Sequence, residues 1–263
     1  MTHQMISSDI LPVAIPENVE VRLARDAAEI EASQALRYRV FYEEMGAKPC
    51  PQSAASRLDR DAYDPVCRHL LALADGEVVG TYRLIDRRAA AAVGNFYSAS
   101  EFDISALVAY PGEILELGRS CVDPRWRNRG TLQMLWQGLA AYIVEHRIGL
   151  LFGCASLPGT DPAALAAQLA YLRDNHSTPH ELWAEPLPYR AAATPGAVDY
   201  DPRATLQSLP PLLKGYLRAG ACIGTGAVVD HDFNTTDVLV ALRTDTIAAR
   251  YQRRYDAVVE RAA

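Results

Sequence analysis

The sequence predicts a mixed α/β (α+β) fold, a mostly antiparallel sheet containing one parallel pair of strands, on three observations. Residues 69–74 and 78–85 read as two strands joined through Asp75-Gly76, a dipeptide suited to the positive φ angles of a tight hairpin turn. Residues 113–157 read as strand, basic turn, helix and strand, and two strands linked through one helix are expected to run parallel. Residues 226–242 read as two more strands around a polar turn. Antiparallel strands, one crossover, then a helix and a hairpin form an order that a doubly wound sheet does not have.

Taken along the chain, residues 1–18 are punctuated by Ser and Pro and predict a flexible tail. VEVRLA (19–24) alternates as a strand does. Between Asp26 and Met45, Ile30, Leu36, Val40 and Phe41 recur at helical spacing, with Gly46 placed as the stop. Residues 49–65 predict a loop, residues 95–104 a short helix, and residues 113–123 a strand. The basic turn 125–130 opens a helix to about Arg147 that carries Leu132, Leu135, Leu139, Tyr142 and Ile143 on one face. Residues 149–157 are a nearly continuous apolar strand. Asp161-Pro162 fits a cap with Pro at the first helical position, opening a helix to about Asn175. Residues 176–208 are Pro-rich and weakly periodic, and the stretch from about 159 to 208 is expected to be an insertion in a single domain spanning 19–263. Residues 212–219 predict a helix ending at Gly220, and the last twenty residues a final helix.

A chain of 263 residues, 49% hydrophobic, can bury a full core. The five cysteines are odd in number and scattered without a C-x-x-C, so no metal set is expected and a reducing cytoplasm is. No leader-like start or run of 18 apolar residues is read, and a net charge of -6 argues against a nucleic-acid binder.

The sharpest local signal is CVDPRWRNRGTLQMLW (121–136), a strand running through a basic, Gly-containing turn into a helix. Helix N-termini present unpaired amides and a positive dipole end, which suit a phosphate; an ordinary solvated basic turn is the alternative. Arg127-x-x-Gly130-x-Leu132 resembles the pantetheine-phosphate loop of the acetyltransferase-like superfamily, with Leu132 where a small residue is usual. Tyr216-x-x-x-Gly220 resembles that superfamily's Tyr-x-x-x-Gly segment, with Ala221 in place of the aromatic. Leu36-Arg37-x-x-Val40-Phe41, Asp61-x-x-Asp64, Tyr82-Arg83-Leu84 and Glu116-x-x-Arg119-x-x-Val122-Asp123 together resemble the acyl-homoserine lactone synthases, although Gly46-Ala47 stands where those usually carry a Trp. Six blocks in order, LRYRVFYEEMGA, FYSASEFDI, ELGRSCVDPRWRNRG, LLFGCASLPGTDP, LPPLLKGYLRAG and VVDHDFNTTDV, resemble the ornithine N-acyltransferases of ornithine-lipid synthesis, over about residues 19–255.

That resemblance implies a GNAT-like acyl-CoA N-acyltransferase fold with one splayed parallel pair, and transfer of a 3-hydroxyacyl group from acyl carrier protein to the α-amine of L-ornithine. Related enzymes that acylate lysine, glycine or glutamine share the blocks. No bound cofactor is implied; the acyl carrier protein thioester is a co-substrate. A separate O-acyltransferase would act on the product, and peripheral contact with the inner membrane is expected. Glu116 is the candidate general base, against the alternative of a strand-end carboxylate paired with Arg119. Residues three apart on a strand face opposite ways, so Glu116 and Arg119 share a site only through a bulge, for which Gly118 is the natural place. Arg119 would hold a carboxylate or phosphate, and Tyr216 would protonate the departing thiolate. Cys121, Val122, Arg127, Asn128, Arg129, Gly130 and Thr131 are assigned to the acyl donor. Arg37, Phe41, Asp61, Asp64 and Arg83 are assigned to the acceptor, with Glu43 a further acid for its side-chain ammonium. His69 and His231 are read as structural or surface residues before proton relays. Arg125, Arg127, Arg129, Lys214 and Arg218 would form a landing surface for the acidic carrier.

Overall fold

A computed structural model of the chain describes residues 19–127, 129–192, 196 and 198–247; the expected tail at 1–18 lies outside them. In chain order the strands and helices are β1 (Val19–Leu23), α1 (Ala27–Tyr38), α2 (Pro51–Ser56), β2 (Arg68–Ala74), β3 (Glu77–Asp86), α3 (Arg87–Val93), β4 (Phe102–Asp103), α4 (Ser105–Val108), β5 (Glu113–Val122), α5 (Arg129–His146) and β6 (Ile148–Pro158). They continue with α6 (Ala166–His176), β7 (Glu185–Pro186), α7 (Pro202–Ser208), α8 (Pro211–Ala219), β8 (Cys222–Ile223), β9 (Val228–Asp230) and β10 (Thr235–Arg243). Residues 244–247 are helical, and the rest of the expected C-terminal helix lies outside the described residues.

The chain forms two compact units, each made of separate stretches: residues 1–95 with 117–147, and residues 96–116 with 148–263. In the first, β1, β2 and β3 are antiparallel neighbours. Asp75 (φ 49°) and Gly76 (φ 85°) turn β2 into β3, the two positive angles that the Asp-Gly pair supplies. Helix α5 packs on β1, β2 and β3, and α1 packs on β2 and β3. The Asp26 side chain caps α1 by accepting from Glu29 N. Past Tyr38 the helix widens into a π-helical stretch, Arg39–Glu44, and Leu36, Val40 and Cys121 close a small core that Phe41 packs against.

In the second unit β5 and β6 run parallel, from Glu113 opposite Ile148 to Glu116 opposite Phe152, so the single crossover read from the sequence is present. β6 then pairs antiparallel with β10, from Thr235 opposite Pro158 to Arg243 opposite Leu150, and β8 and β9 both pair with β10. Helix α8 packs on β10 and ends at Gly220 (φ 104°).

Several local expectations are corrected. The 49–65 loop contains α2, which Cys50 caps through a hydrogen bond from Ser53 N, and α3 follows β3 directly behind the Asp86 cap. Residues 97–100 form a 3₁₀ turn before the short strand β4. Asp161 accepts from Ala163 N, yet only turns follow and α6 begins at Ala166. The Pro-rich excursion holds α7, capped by Asp201.

Candidate active site

In the first unit Arg37, Asp61, Asp64 and Arg83, four of the residues assigned to the acceptor, converge on a buried ionic cluster, whereas Phe41 packs on the small core beside Leu36 and Val40. Arg37 of α1 sets two nitrogens on the Asp64 carboxylate at 2.8 and 2.9 Å, its Nε 2.8 Å from Asp59 Oδ2, and donates to the Asp59 carbonyl as well. Arg83 of β3 reaches Asp61 at 2.6 Å, with its guanidinium 5.3 Å from the Tyr63 ring centroid. Arg119 of β5 lies 3.2 Å from Asp59 and 3.5 Å from Asp61. Three carboxylates and three guanidiniums thus offset one another, with Asp64 also accepting from Asp61 N and Asp59 from the Tyr42 hydroxyl. Burial alone would raise the Asp64 carboxyl, but its hydrogen bonds and charge contact with Arg37, and the charge of Arg83, hold it below its usual value. His69 is buried; Nε2 lies 3.0 Å from the Asp64 carbonyl, and burial keeps its pKa low, which fits the structural reading of this histidine. Asp59 and Tyr42 belong to this cluster although the sequence reading passed over them.

Asp61 and Asp64 are therefore already committed to arginines of the protein, and Glu43 is paired with Arg57. The backbone irregularity expected near Gly118 falls on Arg119 itself, at φ 49°, a left-handed conformation uncommon for a side chain of this size.

In the second unit Glu116 of β5 is buried, and three donors of the 3₁₀ turn meet its carboxylate: Tyr97 N at 2.7 Å, Ser98 N at 2.6 Å and the Ser98 hydroxyl. The Cys154 thiol of β6 lies 3.4 Å from Ser98 Oγ and 3.3 Å from Glu101 Oε2. Glu101 is buried, and desolvation, then the charges of Asp237 and Asp230, push its carboxyl up to about 7. Desolvation first, then Glu101 and Asp237, push the Cys154 thiol well above its usual value. Ser98, Glu101 and Cys154 were not singled out from the sequence; the only signal was that all three fall inside two of the six blocks. Tyr216 of α8 is buried, with its carbonyl accepting from Ala221 N at 3.0 Å where Gly220 turns the chain.

The turn assigned to the donor from the sequence is in the first unit. Cys121 is buried and its thiol is pushed up to about 12 by desolvation. Arg127 donates to the Val122 carbonyl at 3.0 Å and forms a two-pronged pair with Glu44, the longer prong 2.7 Å. Arg125 is held by Asp123 through two bonds of 2.9 and 3.0 Å. Gly130 and Thr131 lie buried in the first turn of α5; Asn128 and the side chain of Arg129 lie outside the described residues. Of the other expected basic residues, Lys214 donates to the Gln207 carbonyl and Arg218 sits in the last turn of α8. His231 is exposed at the turn after β9.

Residues 36–137, which run from α1 through β5 into α5, match the acetyltransferase (GNAT) domain family. The chain is an acyltransferase of the GNAT-like class. It is 47% identical over 254 residues to an L-ornithine N(alpha)-acyltransferase of Agrobacterium fabrum, covering 92% of this chain and 87% of that one. It is 42% identical over 259 residues to a protein of the same name from Brucella abortus, covering 93% and 91%. The chain belongs to the L-ornithine N(alpha)-acyltransferase family. It is also similar to the solved structure of an N-acyl amino acid synthase from uncultured soil microbes, at 13% identity and a TM-score of 0.47, covering 88% of this chain and 94% of that one.

Proposed function

We propose that this chain transfers a 3-hydroxyacyl group from the phosphopantetheine thioester of acyl carrier protein to the α-amine of L-ornithine, giving the N-acylated precursor of an ornithine lipid. The observation that carries this reading is kinship at 47% identity over 92% of the chain to a relative of that name.

An α-ammonium attacks only after losing a proton, and Glu116 receives it, directly or through water. The amine then adds to the thioester carbon, the C–S bond breaks, and the second proton of the nitrogen goes to the departing thiolate, with Tyr216 as the donor in relay. Three of the five cysteines fit direct transfer: Cys67 and Cys121 are pushed up to about 12 and Cys154 well above its usual value, so none of these three offers a ready thiolate for an acyl-enzyme. The turn at 127–131 receives the carrier phosphate at the N-terminus of α5, and Arg119 turns toward the acceptor carboxylate in exchange for one of its aspartates. The product joins an acyl chain to a charged head, which favours peripheral contact with a membrane and a separate O-acyltransferase as the next enzyme. Among the described residues no helix is long and apolar enough to cross a membrane.

The test is an assay of the purified protein with 3-hydroxyacyl carrier protein and a panel of amino acids, read by mass spectrometry. Transfer to ornithine is expected, falling about 10²-fold or more in Glu116→Gln. Transfer to lysine, glycine or glutamine alone would replace the acceptor, and no transfer to any amine would remove the proposal.

A further inference from the structure

We propose that Glu101 stores the proton taken from the acceptor amine, receiving it from Glu116 through the Ser98 hydroxyl and the Cys154 thiol, so that Glu101 is a positioning residue of the transfer reaction. The inference rests on the proposed role of Glu116. Its basis is a continuous line of buried polar atoms within the second unit. Ser98 Oγ donates to Glu116, Cys154 Sγ stands 3.4 Å from Ser98 Oγ, and the same sulfur stands 3.3 Å from Glu101 Oε2. Ser98, Glu101 and Glu116 have relative exposures of 0, 1 and 1%.

The two carboxylates at the ends of this line have opposite surroundings. Two backbone amides and a hydroxyl converge on Glu116, an arrangement that suits negative charge, and a proton left there would weaken those bonds. Glu101 is faced by acids from two strands, Asp237 of β10 and Asp230 of β9, and by the neutral thiol of Cys154 on β6. The cation beside it is Arg190, 3.8 Å away with its side chain 39% exposed, which screens that charge. A proton is therefore more stable on Glu101 than on Glu116.

The transfer balances. With Glu116 protonated, its O–H donates to Ser98 Oγ, the Ser98 hydroxyl swings to Cys154 Sγ, and the thiol donates to Glu101. Shifting each proton one bond along leaves Glu116 ionised, Ser98 and Cys154 neutral, and Glu101 protonated. The one proton that the overall reaction releases then leaves Glu101 for solvent between turnovers.

The experiment is the pH profile of kcat at saturating substrates for the wild-type enzyme, Glu101→Gln, Cys154→Ala and Cys154→Ser. The wild-type profile should fall on the acid side around pH 7, where Glu101 is already protonated and has no capacity. Glu101→Gln should lower kcat about 10-fold to 100-fold and abolish that limb, with KM for ornithine little changed. Cys154→Ala breaks the line while both carboxylates remain in the chain, so it tests the idea even if Glu101→Gln does not fold. It should lose the same limb, and Cys154→Ser, which retains a donor and acceptor, should recover most of the loss. Glu101→Gln or Cys154→Ala with the wild-type limb and rate would overturn the proposal while leaving Glu116 as base. A wild-type rate in Glu116→Gln would instead remove the reading of Glu116 on which it rests.

Discussion

Arg37 is among the largest fully buried side chains of the described residues, and its guanidinium is placed where only a planar fork works: two nitrogens on Asp64, Nε on Asp59. Arg37→Ala would strand two buried carboxylates and is expected to cost roughly 3–5 kcal/mol in denaturant unfolding. Arg37→Lys keeps the charge but loses the fork, and should recover only part of this. The two buried acids then predict opposite pH responses. Asp64 is held below its unfolded value of 3.8, so its contribution is present above that pH and is lost as pH falls below it. Glu101 is raised from 4.5 to about 7, so the folded state binds the extra proton and stability falls as pH rises through that window, by on the order of 3 kcal/mol. Glu101→Gln should flatten the stability profile between those limits, as measured by urea unfolding at several pH values. Arg37, Asp61, Asp64 and Arg83 could be read as related residues because the resemblance to the acyl-homoserine lactone synthases groups them. Asp59, Tyr42 and Glu101 could not, since nothing local distinguishes an acid or phenol that meets its partners only after long-range folding.

Elements with a strong local signal were legible: the Asp75-Gly76 hairpin, the apolar strand that became β6, and the helix stopped by Gly220. Those missed are short. α2, α3 and α7 have six or seven residues each, too few for a periodic pattern, and α3 is dominated by alanines that mark no face. The Asp161-Pro162 signal was real chemistry at a neighbouring place, since the aspartate caps a turn and α6 forms later. Packing imposes one demand that no helix propensity shows. A Cβ at Gly138 of α5 would stand 2.4 Å from Val21 Cγ1 of β1. Gly138→Ala, normally favourable within a helix, should therefore destabilise by about 1–3 kcal/mol, and Val21→Ala in the same chain should return part of it, which a double-mutant cycle by thermal unfolding would register.

For the whole molecule, the net charge of -6 bears on the proposed donor, because such a carrier protein would be acidic and so is this chain. Arg125 and Arg127 are both tied to carboxylates, so any attraction to such a carrier would rest on cations already partly offset rather than on a strongly basic face. KM for the carrier protein should consequently rise with ionic strength, about two-fold to ten-fold between 0.05 and 0.5 M salt, while KM for ornithine changes less. The division of the chain into two discontinuous units, with the boundary between Glu116 and Leu117 inside β5, was not legible in the sequence, since a single strand gives one uninterrupted signal. On the ribosome, where a chain appears at about 5–20 residues per second, this arrangement delays completion at both ends. The first unit lacks its last stretch until Arg147 has emerged, and residues 96–116, already made, wait for the chain beyond 147. Glu116 can meet Tyr97 and Ser98 as soon as it is synthesised, but its neighbour Phe152 and the thiol of Cys154 arrive more than thirty residues later. A nascent chain paused before that point has β5 without its parallel partner β6, an open edge of the kind a chaperone would be expected to recognise.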